Sequence, residues 1–168
     1  LKVAATPVLA AGAAVTSVPL AGGALVLKAG TGIGAAAALN LDVAELREVK
    51  STLGDVSLYD TLSGTRNKLQ LTDVVASGGN VTISSDAALQ VVKAHALGTS
   101  TTLALTSRAR DILIDAGASL QAGNSTTGTI ALDAAVNLTI APTVWVDAAT
   151  AVTFTSGTSF ALPTRTQG

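Results

Sequence analysis

Residues 78–114 read GGNVTISSDAALQVVKAHALGTSTTLALTSRARDILI, and apolar side chains recur in them at alternate positions. The alternation is clear in Val81-Thr-Ile83, Leu89-Gln-Val91 and Leu103-Ala-Leu105, and it continues as far as Phe160. A period of two is typical of a β-strand with one buried face, and the Gly, Asn, Asp and Ser residues between the runs favour turns. The stretch therefore predicts short β-strands joined by tight turns.

These predicted strands also recur at a nearly fixed spacing. Val81 to Leu89 is a step of eight residues, and Val81 to Leu103 is a step of 22. Ile130 to Val152 repeats the step of 22. A short step nested in a longer one is typical of a coil of repeated rungs. We therefore predict an all-β fold, a parallel β-helix, with an antiparallel, pilin-like β-sandwich as the alternative.

The regularity of the pattern divides the chain into three parts. Residues 54–160 alternate regularly and are predicted to form the β-helix proper. Residues 1–53 are the least regular and are predicted to form N-terminal rungs or a cap. Residues 161–168 contain Pro163, which interrupts the alternation, so they are predicted to be an exit strand or a linker.

Three segments of the first part fit more than one structure. Leu39–Leu53 has charges three or four residues apart that favour a helix, although its leucines also alternate as in a strand. Gly30–Ala35 fits a relaxed dinucleotide-binding fingerprint, but the chain shows no strand–helix–strand unit, so a turn is favoured. Ala4–Leu27 is uncharged, but its prolines and glycines argue against a membrane span or a signal peptide.

Composition excludes several classes of protein. The chain is 48% hydrophobic but only 2% aromatic, which predicts a thin core of small aliphatic side chains. A net charge of −1 argues against nucleic-acid binding, which needs clustered basic residues. There is no Cys, so disulfides, thiol catalysis and Cys-ligated metals are excluded. Abundant Thr and Ser are common in secreted bacterial surface proteins. The chain starts at Leu1 and lacks Met, so we expect a processed product or an excised segment.

The histidine and the acidic residues are the natural candidates for chemistry. His95 is the only histidine, and Asp86 and Asp111 are its conceivable partners if rungs stack. A single histidine without Cys or a second His gives no metal or triad signature, so no metal, cofactor or catalytic residue is predicted. Stacked aspartates could form the acid/base pair or the Ca²⁺ site of a polysaccharide-cleaving β-helix, although Asp after a strand is also an ordinary turn residue.

Three N-x-T sequons are the candidate modification sites, at Asn80, Asn124 and Asn137. They predict N-glycosylation where the source has the machinery; otherwise these Asn are turn residues.

Outward-facing side chains are a further source of binding sites. Threonines 82, 102, 139, 153 and 155 are predicted to face outward, in an array too irregular for ice binding. Trp145 is interpreted either as a platform for a sugar or as surface cover. Arg108 and Arg110 are predicted to form a solvated pair with Asp111.

Several degenerate motifs occur in order along the chain. They are Ala29–Gly34 (AGTGIG), Asn40–Leu46 (NLDVAEL), Gly54–Leu58 (GDVSL), Gly78–Ile83 (GGNVTI) and Asp111–Gly123 (DILIDAGASLQAG). Together they resemble the repeat region of large filamentous-haemagglutinin-like exoproteins of bacteria, roughly over residues 20–157. The resemblance implies a right-handed parallel β-helix, a secreted or surface location, an adhesive or fibre-forming role and no catalytic residues. Such proteins also carry an amino-terminal secretion domain, so we expect this chain to be an internal segment or a distant relative.

We therefore predict a structural, extracellular or cell-surface segment without enzymatic activity. Its predicted partner is itself, by end-to-end stacking or tandem repetition, because the end rung of a β-helix presents unpaired backbone groups. Host or surface glycans are a second predicted class of partner. The alternatives are a pilin-like subunit that polymerises by strand donation and a carbohydrate-active β-helix enzyme.

Overall fold

Short strands follow one another along the whole computed structural model, which describes residues 17–19, 23–34, 37–62, 65–124 and 126–163. In chain order they are β1 (Ser17–Pro19), β2 (Ala24–Ala29), β3 (Leu39–Asp42), β4 (Glu45–Ser51), β5 (Val56–Asp60), β6 (Lys68–Leu71), β7 (Val74–Ala76), β8 (Val81–Ser85), β9 (Ala88–Ala96), β10 (Thr101–Ser107), β11 (Ile112–Ala122), β12 (Gly128–Ala134), β13 (Asn137–Ile140), β14 (Trp145–Ala148), β15 (Ala151–Ser156) and β16 (Ser159–Ala161).

The strands form two sheets. Sheet 1 has the order β1-β3-β5-β8-β10-β12-β15, and sheet 2 has the order β16-β13-β11-β9-β6-β4-β2. In sheet 2, β7 pairs with β4 and β9, and β14 pairs with β11. Every pairing between these strands is parallel, so the chain is a β-solenoid of about six turns. The predicted parallel β-helix is confirmed, and the antiparallel sandwich alternative is wrong.

The register reproduces the spacing seen in the sequence. Val81 pairs with Leu103, and Ile130 pairs with Val152, so the two equal steps along the chain are both single turns of the solenoid. Other turns differ in length. The turn that pairs Leu103 with Ile130, for example, contains more residues than these two. The strands therefore keep a common register, while the corners absorb the differences in length.

Sheet 2 bends midway along its longer strands. In β9 two successive residues, Val92 and Lys93, break the in-and-out alternation, and in β11 residues 115–117 do the same. The neighbouring rungs are cut at this level into β6 and β7, or into β13 and β14. A solenoid turn therefore has three sides, namely sheet 1 and the two halves of sheet 2.

The core is made of aliphatic columns. Leu, Ile, Val and Ala residues from all three sides are buried, including Ile83, Leu105 and Ile114, which are fully inaccessible. None of the four aromatic residues of the chain belongs to this buried core, so the predicted thin aliphatic core is confirmed. Burial of each such side chain contributes about 1.5–3 kcal/mol, and parallel pairing shares every column between neighbouring rungs.

The helix candidate at Leu39–Leu53 is wrong, because this segment forms β3 and β4. β4 lies between β2 on one side and β6 and β7 on the other, so both of its edges are paired, and Leu46 and Val49 are fully buried. Pairing on both edges outweighs a helical propensity of a few tenths of a kcal/mol per residue. Residue 53 is the predicted boundary between the N-terminal part and the regular part, and strands on its two sides pair with each other, since β3 pairs with β5.

The glycine-rich segment forms a turn. Ile33 forms a parallel bridge with Val56, and Gly34 has a φ of 69°, in the left-handed region. A Cβ on Gly34 would lie 2.2 Å from the Ser57 carbonyl oxygen, so only glycine fits. The strand β3 follows it, where a dinucleotide fold requires a helix.

Most of the uncharged stretch Ala4–Leu27 lies outside the described residues. Among the described residues there is no helix of the length and hydropathy that a membrane crossing requires.

The two ends of the solenoid differ in how the inward side chains of their edge strands are covered. In β2, an edge strand of sheet 2, Leu25 and Leu27 are buried. At the opposite end β15 and β16 are the edge strands, and Val152 and Phe160 are 41% and 45% exposed. Among the described strands, the β15–β16 end therefore presents apolar side chains beside edges that pair with no other strand.

Candidate binding face of the solenoid

The second half of sheet 2 consists of β7, β14 and the C-terminal halves of β2, β4, β9 and β11. Its outer surface carries a continuous set of polar side chains, and we call this surface the ladder face. One column of this face follows the register from rung to rung through Lys28, Lys50, Val75, His95, Gln121 and Asp147. The neighbouring column contains Lys93, Ser119 and Trp145, which are register partners. It also contains Glu48 and Asp73, which directly precede the register partners Val49 and Val74. Parallel pairing thus places side by side residues that are one turn of the solenoid apart along the chain.

One end of the ladder face is an ion-pair network. Glu48 lies 2.9 Å from the Lys28 ammonium and 2.8 Å from that of Lys50. Asp73 lies 3.3 Å from the Lys50 ammonium and 3.0 Å from that of Lys93. These side chains are partly solvated, so each pair contributes little by itself and the chain of pairs matters more.

The charges of this network shift the pKa values of its members. Hydrogen bonds from Lys50 and Lys28 lower the pKa of the Glu48 carboxyl. Burial alone raises the pKa of the Asp73 carboxyl, but the Lys93 and Lys50 ammonium groups outweigh it, and the net pKa is lowered. Both carboxylates are therefore ionised at neutral pH, and both bind the rungs together.

The other end of the ladder face is an aromatic and amide cluster, which we call the indole cluster: His95, Ser119, Gln121, Trp145 and Asp147. The indole of Trp145 is half exposed and meets the His95 ring edge-on, with centroids 6.4 Å apart and an interplanar angle of 64°. His95 Nε2 lies 2.7 Å from Ser119 Oγ. Gln121 Nε2 donates to Asp147 Oδ2 at 3.4 Å. Burial, together with Lys93, lowers the pKa of His95, so its imidazole is neutral at pH 7.

The structure does not bring together the partners considered for His95. Asp86 accepts a hydrogen bond from the Tyr59 hydroxyl at 2.8 Å, and Asp111 accepts from the backbone and side-chain amides of Asn137. Ser119 is the side chain that contacts His95, from a position 24 residues away in the sequence. Only the register reveals this pair, because nothing in the local pattern distinguishes Ser119 from the other outward serines.

Two aspartates converge on one cation, since Arg66 contacts both Asp42 and Asp60, at 3.2 and 2.9 Å. Asp111 and Asp55 each accept from an asparagine one rung further on, so they cap the start of the next strand. Among the described residues, no group of three His, Asp or Glu side chains is placed to hold a metal ion. The Arg108 guanidinium lies 5.4 Å from the centre of the Tyr59 ring, and the predicted contact with Asp111 is replaced by the contact of Asp111 with Asn137.

One aspartate is buried in a way that was missed from the sequence. Asp60 is inaccessible to solvent, and both of its oxygens accept from Arg66, at 2.9 and 3.0 Å. Ser85 donates to the same carboxylate at 2.8 Å. Burial raises the pKa of Asp60, against the opposing effect of Arg66. The alternation of Val56, Leu58 and Asp60 was the available signal, because it places the carboxylate inward, where it needs a cation.

The three sequons lie in different environments. Asn80 is a half-buried corner residue, and Asn137 is the half-buried first residue of β13. Their side-chain amides donate to Asp55 and Asp111 at 3.1 and 2.9 Å. Asn124 is exposed, and its Oδ1 accepts from Thr126 Oγ1 at 2.9 Å within the sequon itself. Of the three predicted sites, Asn124 is the accessible one, and glycosylation stays a prediction.

The predicted outward threonines do face outward. Thr82, Thr102, Thr153 and Thr155 lie on sheet 1, and Thr139 lies on sheet 2. Ala104 and Ala131 interrupt the column between Thr82 and Thr153, so no continuous threonine array exists there. A shallow groove beside this sheet is lined by Gly34, Ala37, Asp55, Ser57, Asn80, Thr82 and Thr102.

No protein-family model, curated protein or solved structure matches the chain. The parallel solenoid is compatible with a β-helical repeat protein. The resemblance to filamentous-haemagglutinin-like exoproteins therefore depends on the sequence motifs and on this compatibility of fold.

Proposed function

We propose that this chain is a structural segment of an extracellular, adhesive β-solenoid that is extended by further rungs, either from tandem repeats or from another copy, and that it has no catalytic role. The observation that supports this proposal most directly is the uncovered β15–β16 rung. The proposed bacterial surface location follows from the resemblance and from the composition rich in Thr and Ser.

The β15–β16 rung has the chemistry of a continuation surface. Val152, Phe160 and Leu162 are 41%, 45% and 60% exposed, and the rings of Phe154 and Phe160 pack together with centroids 5.4 Å apart. Within the residues that the structure describes, one edge of each strand is unpaired, since β15 and β16 end the two sheets. A rung with open edges and an apolar inner surface is complementary to another parallel rung, because pairing satisfies the backbone groups and buries the side chains together.

The placement of the polar side chains favours a structural role over catalysis. The Ser119–His95 contact has the distance of a nucleophile–base pair, but both residues project from paired strands. Because the flanking strands use the backbone N–H groups of these rungs, the pair has no adjacent group of amides to stabilise an oxyanion. Two aspartates that lie near each other, Asp42 and Asp60, share the Arg66 guanidinium in an ion-paired cluster, which disfavours an acid/base role in a glycosidase or lyase.

The strand-donating pilin alternative loses its support. That mechanism requires an incomplete antiparallel sandwich, whereas this chain is built from parallel rungs.

Association through the end rung is testable with one charged substitution. We expect the wild-type chain to associate with increasing concentration in sedimentation velocity experiments, and Phe160→Lys to keep it monomeric, because burying an unpaired ammonium is unfavourable. Leu53→Lys is the matched control, since Leu53 is 73% exposed on a corner that is not part of the last rung.

A tandem fusion covers the case in which the rungs continue within one chain. Two copies joined end to end are expected to unfold at a higher Tm than one copy, and Phe160→Lys in the first copy is expected to remove the gain. A wild-type monomer at every concentration, together with a fusion that has the Tm of a single copy, contradicts the proposal.

A further inference from the structure

The indole cluster contains an apolar platform that the fold does not use. Trp145 is the only tryptophan of the chain, and half of its surface faces solvent, although its neighbours along the ladder face are polar. An indole offers a large flat surface together with an N–H donor, so it suits a ligand that is apolar on one face and polar at its rim. A residue needed only to complete the rung would not have to be aromatic, since Ser119 and Lys93 occupy the equivalent positions of the two preceding rungs.

The orientation of the platform is fixed before any ligand binds. The indole leans back over the rung of Ser119 and meets the His95 ring edge-on at 6.4 Å. The His95 ring is itself held by the 2.7 Å hydrogen bond to Ser119. A side chain that is restrained in this way loses little conformational entropy on binding, which favours affinity.

Polar groups lie at a suitable distance from the platform. Asp147 is two residues from Trp145 in β14, so the two residues lie on the same face with Cα atoms roughly 7 Å apart. Gln121 is the register partner of Asp147 one rung away, at a spacing of roughly 5 Å, and donates to its carboxylate. The residues that carry the indole, the amide and the carboxylate thus occupy neighbouring positions of one face, at a backbone spacing comparable with the width of one pyranose ring. The amide and the carboxylate supply both donors and acceptors for its hydroxyl groups.

The local charge distinguishes a neutral ligand from a charged one. The nearest cation along the column, Lys93, is already engaged by Asp73 at 3.0 Å. Within the indole cluster the formal charge is that of Asp147, which disfavours an anionic sugar. A quaternary ammonium ligand is recognised by a cage of several aromatic rings, and this site offers one indole and one imidazole.

From this arrangement we propose that Trp145, Gln121 and Asp147 form a binding site for a neutral saccharide, with one pyranose ring seated on the exposed indole face. The inference builds on the proposed adhesive function and gives it a ligand class and a location. His95 and Ser119 are positioning residues, which hold the indole without contacting the sugar.

The test uses Trp145 as its own reporter. Cellohexaose, maltohexaose and mannohexaose are titrated into the full chain, and the Trp145 emission and its quenching by acrylamide are followed. At least one neutral hexasaccharide is expected to shift the emission and protect the indole from quenching, with a dissociation constant on the order of 1 mM, as suits a shallow single-ring site. Isothermal titration calorimetry provides a second readout.

Substitutions then locate the site. Trp145→Ala is expected to weaken binding by at least about tenfold in calorimetry, and Gln121→Ala and Asp147→Asn by about three- to tenfold each. Leu113→Ala is the control, because Leu113 is an exposed side chain on the other half of sheet 2. Circular dichroism and Tm establish that each variant is folded.

Three results overturn the inference. The first is that none of the three neutral hexasaccharides binds. The second is that Trp145→Ala leaves the affinity unchanged. The third is that hexagalacturonate or choline binds more tightly than the neutral sugars. Phe160→Lys separates this inference from the proposed function. It is expected to abolish association and retain saccharide binding, so either property can fail without the other.

Discussion

The last two rungs carry the same inward pattern and differ in what lies beside them. Ile130 and Leu138 are fully buried, whereas their register partners Val152 and Phe160 are 41% and 45% exposed. At this end of the solenoid, the inward side chains of a rung are buried only where another rung follows. In a solenoid, then, the alternation of the sequence determines which residues point inward, and the neighbouring rungs determine how much that orientation contributes to stability.

A substitution in a covered rung should have the largest effect where it leaves a charge without a partner. Arg66→Ala removes the cation that contacts both oxygens of the inaccessible Asp60, and we expect a loss of about 3–5 kcal/mol in the free energy of unfolding. Urea unfolding measures the loss. Arg110→Ala, at an exposed arginine, should change it by less than about 0.5 kcal/mol, and equal effects of the two variants would contradict the buried-pair interpretation.

A matched pair of truncations compares the two rungs directly. Leu138→Ala should cost about 2–5 kcal/mol, because it opens a cavity between rungs. Phe160→Ala, at its register partner, should cost only about 1–2 kcal/mol, although it removes a larger side chain, because nearly half of the ring is already in water. Both values are measured by urea unfolding at a protein concentration too low for association. A larger loss for Phe160→Ala would mean that the last rung is covered in solution.

The smallest predicted effect concerns His95, which links a covered rung to the edge strand β14 through Trp145. Burial and Lys93 lower the pKa of the folded imidazole, whereas in the unfolded chain it titrates near about 6.5. As the pH falls below about 6.5 the unfolded state binds the proton more readily, so stability is lost. Asp73 and Glu48, whose pKa values are lowered, lose their contribution only in a more acidic range.

The measurement is the fall in Tm between about pH 7.5 and about pH 5.5, which spans the titration of an unperturbed imidazole. The wild type should lose more than His95→Gln, which keeps a polar group but has no titration in this range. The groups that face the imidazole are Ser119, Trp145, Lys93 and Asp73, and the pKa of the Asp73 carboxyl is lowered by its lysine partners. Equal losses in the two proteins would show that His95 is not the cause.

The parts of the fold that could be predicted from the sequence are those with a period. Val81 with Leu103, and Ile130 with Val152, were recognisable as equivalent positions because the same step along the chain separates each pair. The longer turn between Leu103 and Ile130 was not, since corner lengths follow no repeat. The helix candidate at Leu39–Leu53 failed because pairing on both edges of β4, which propensity does not describe, decides the structure.

The candidate site was less accessible to sequence reasoning than the fold. Trp145 stood out as a single exposed candidate, but its contact with His95 and the position of Gln121 beside Asp147 depend on register across three rungs. Register can be predicted only when every corner length is known. The burial of Asp60 could have been predicted from the sequence, because the alternation through Val56 and Leu58 points its carboxylate inward, next to the cation of Arg66.

The short distance along the chain between paired strands has a consequence for how the molecule assembles. Each strand finds its partner one turn further on, whether the turn is as short as that from Leu39 to Leu58 or as long as that from Leu103 to Ile130. Among the described strands, no pairing spans more than about one turn, so the entropy lost in closing each loop does not grow with the number of turns already formed. Structure can therefore propagate from one turn to the next while later residues are still unstructured. A chain emerging through a narrow passage could coil progressively as it leaves.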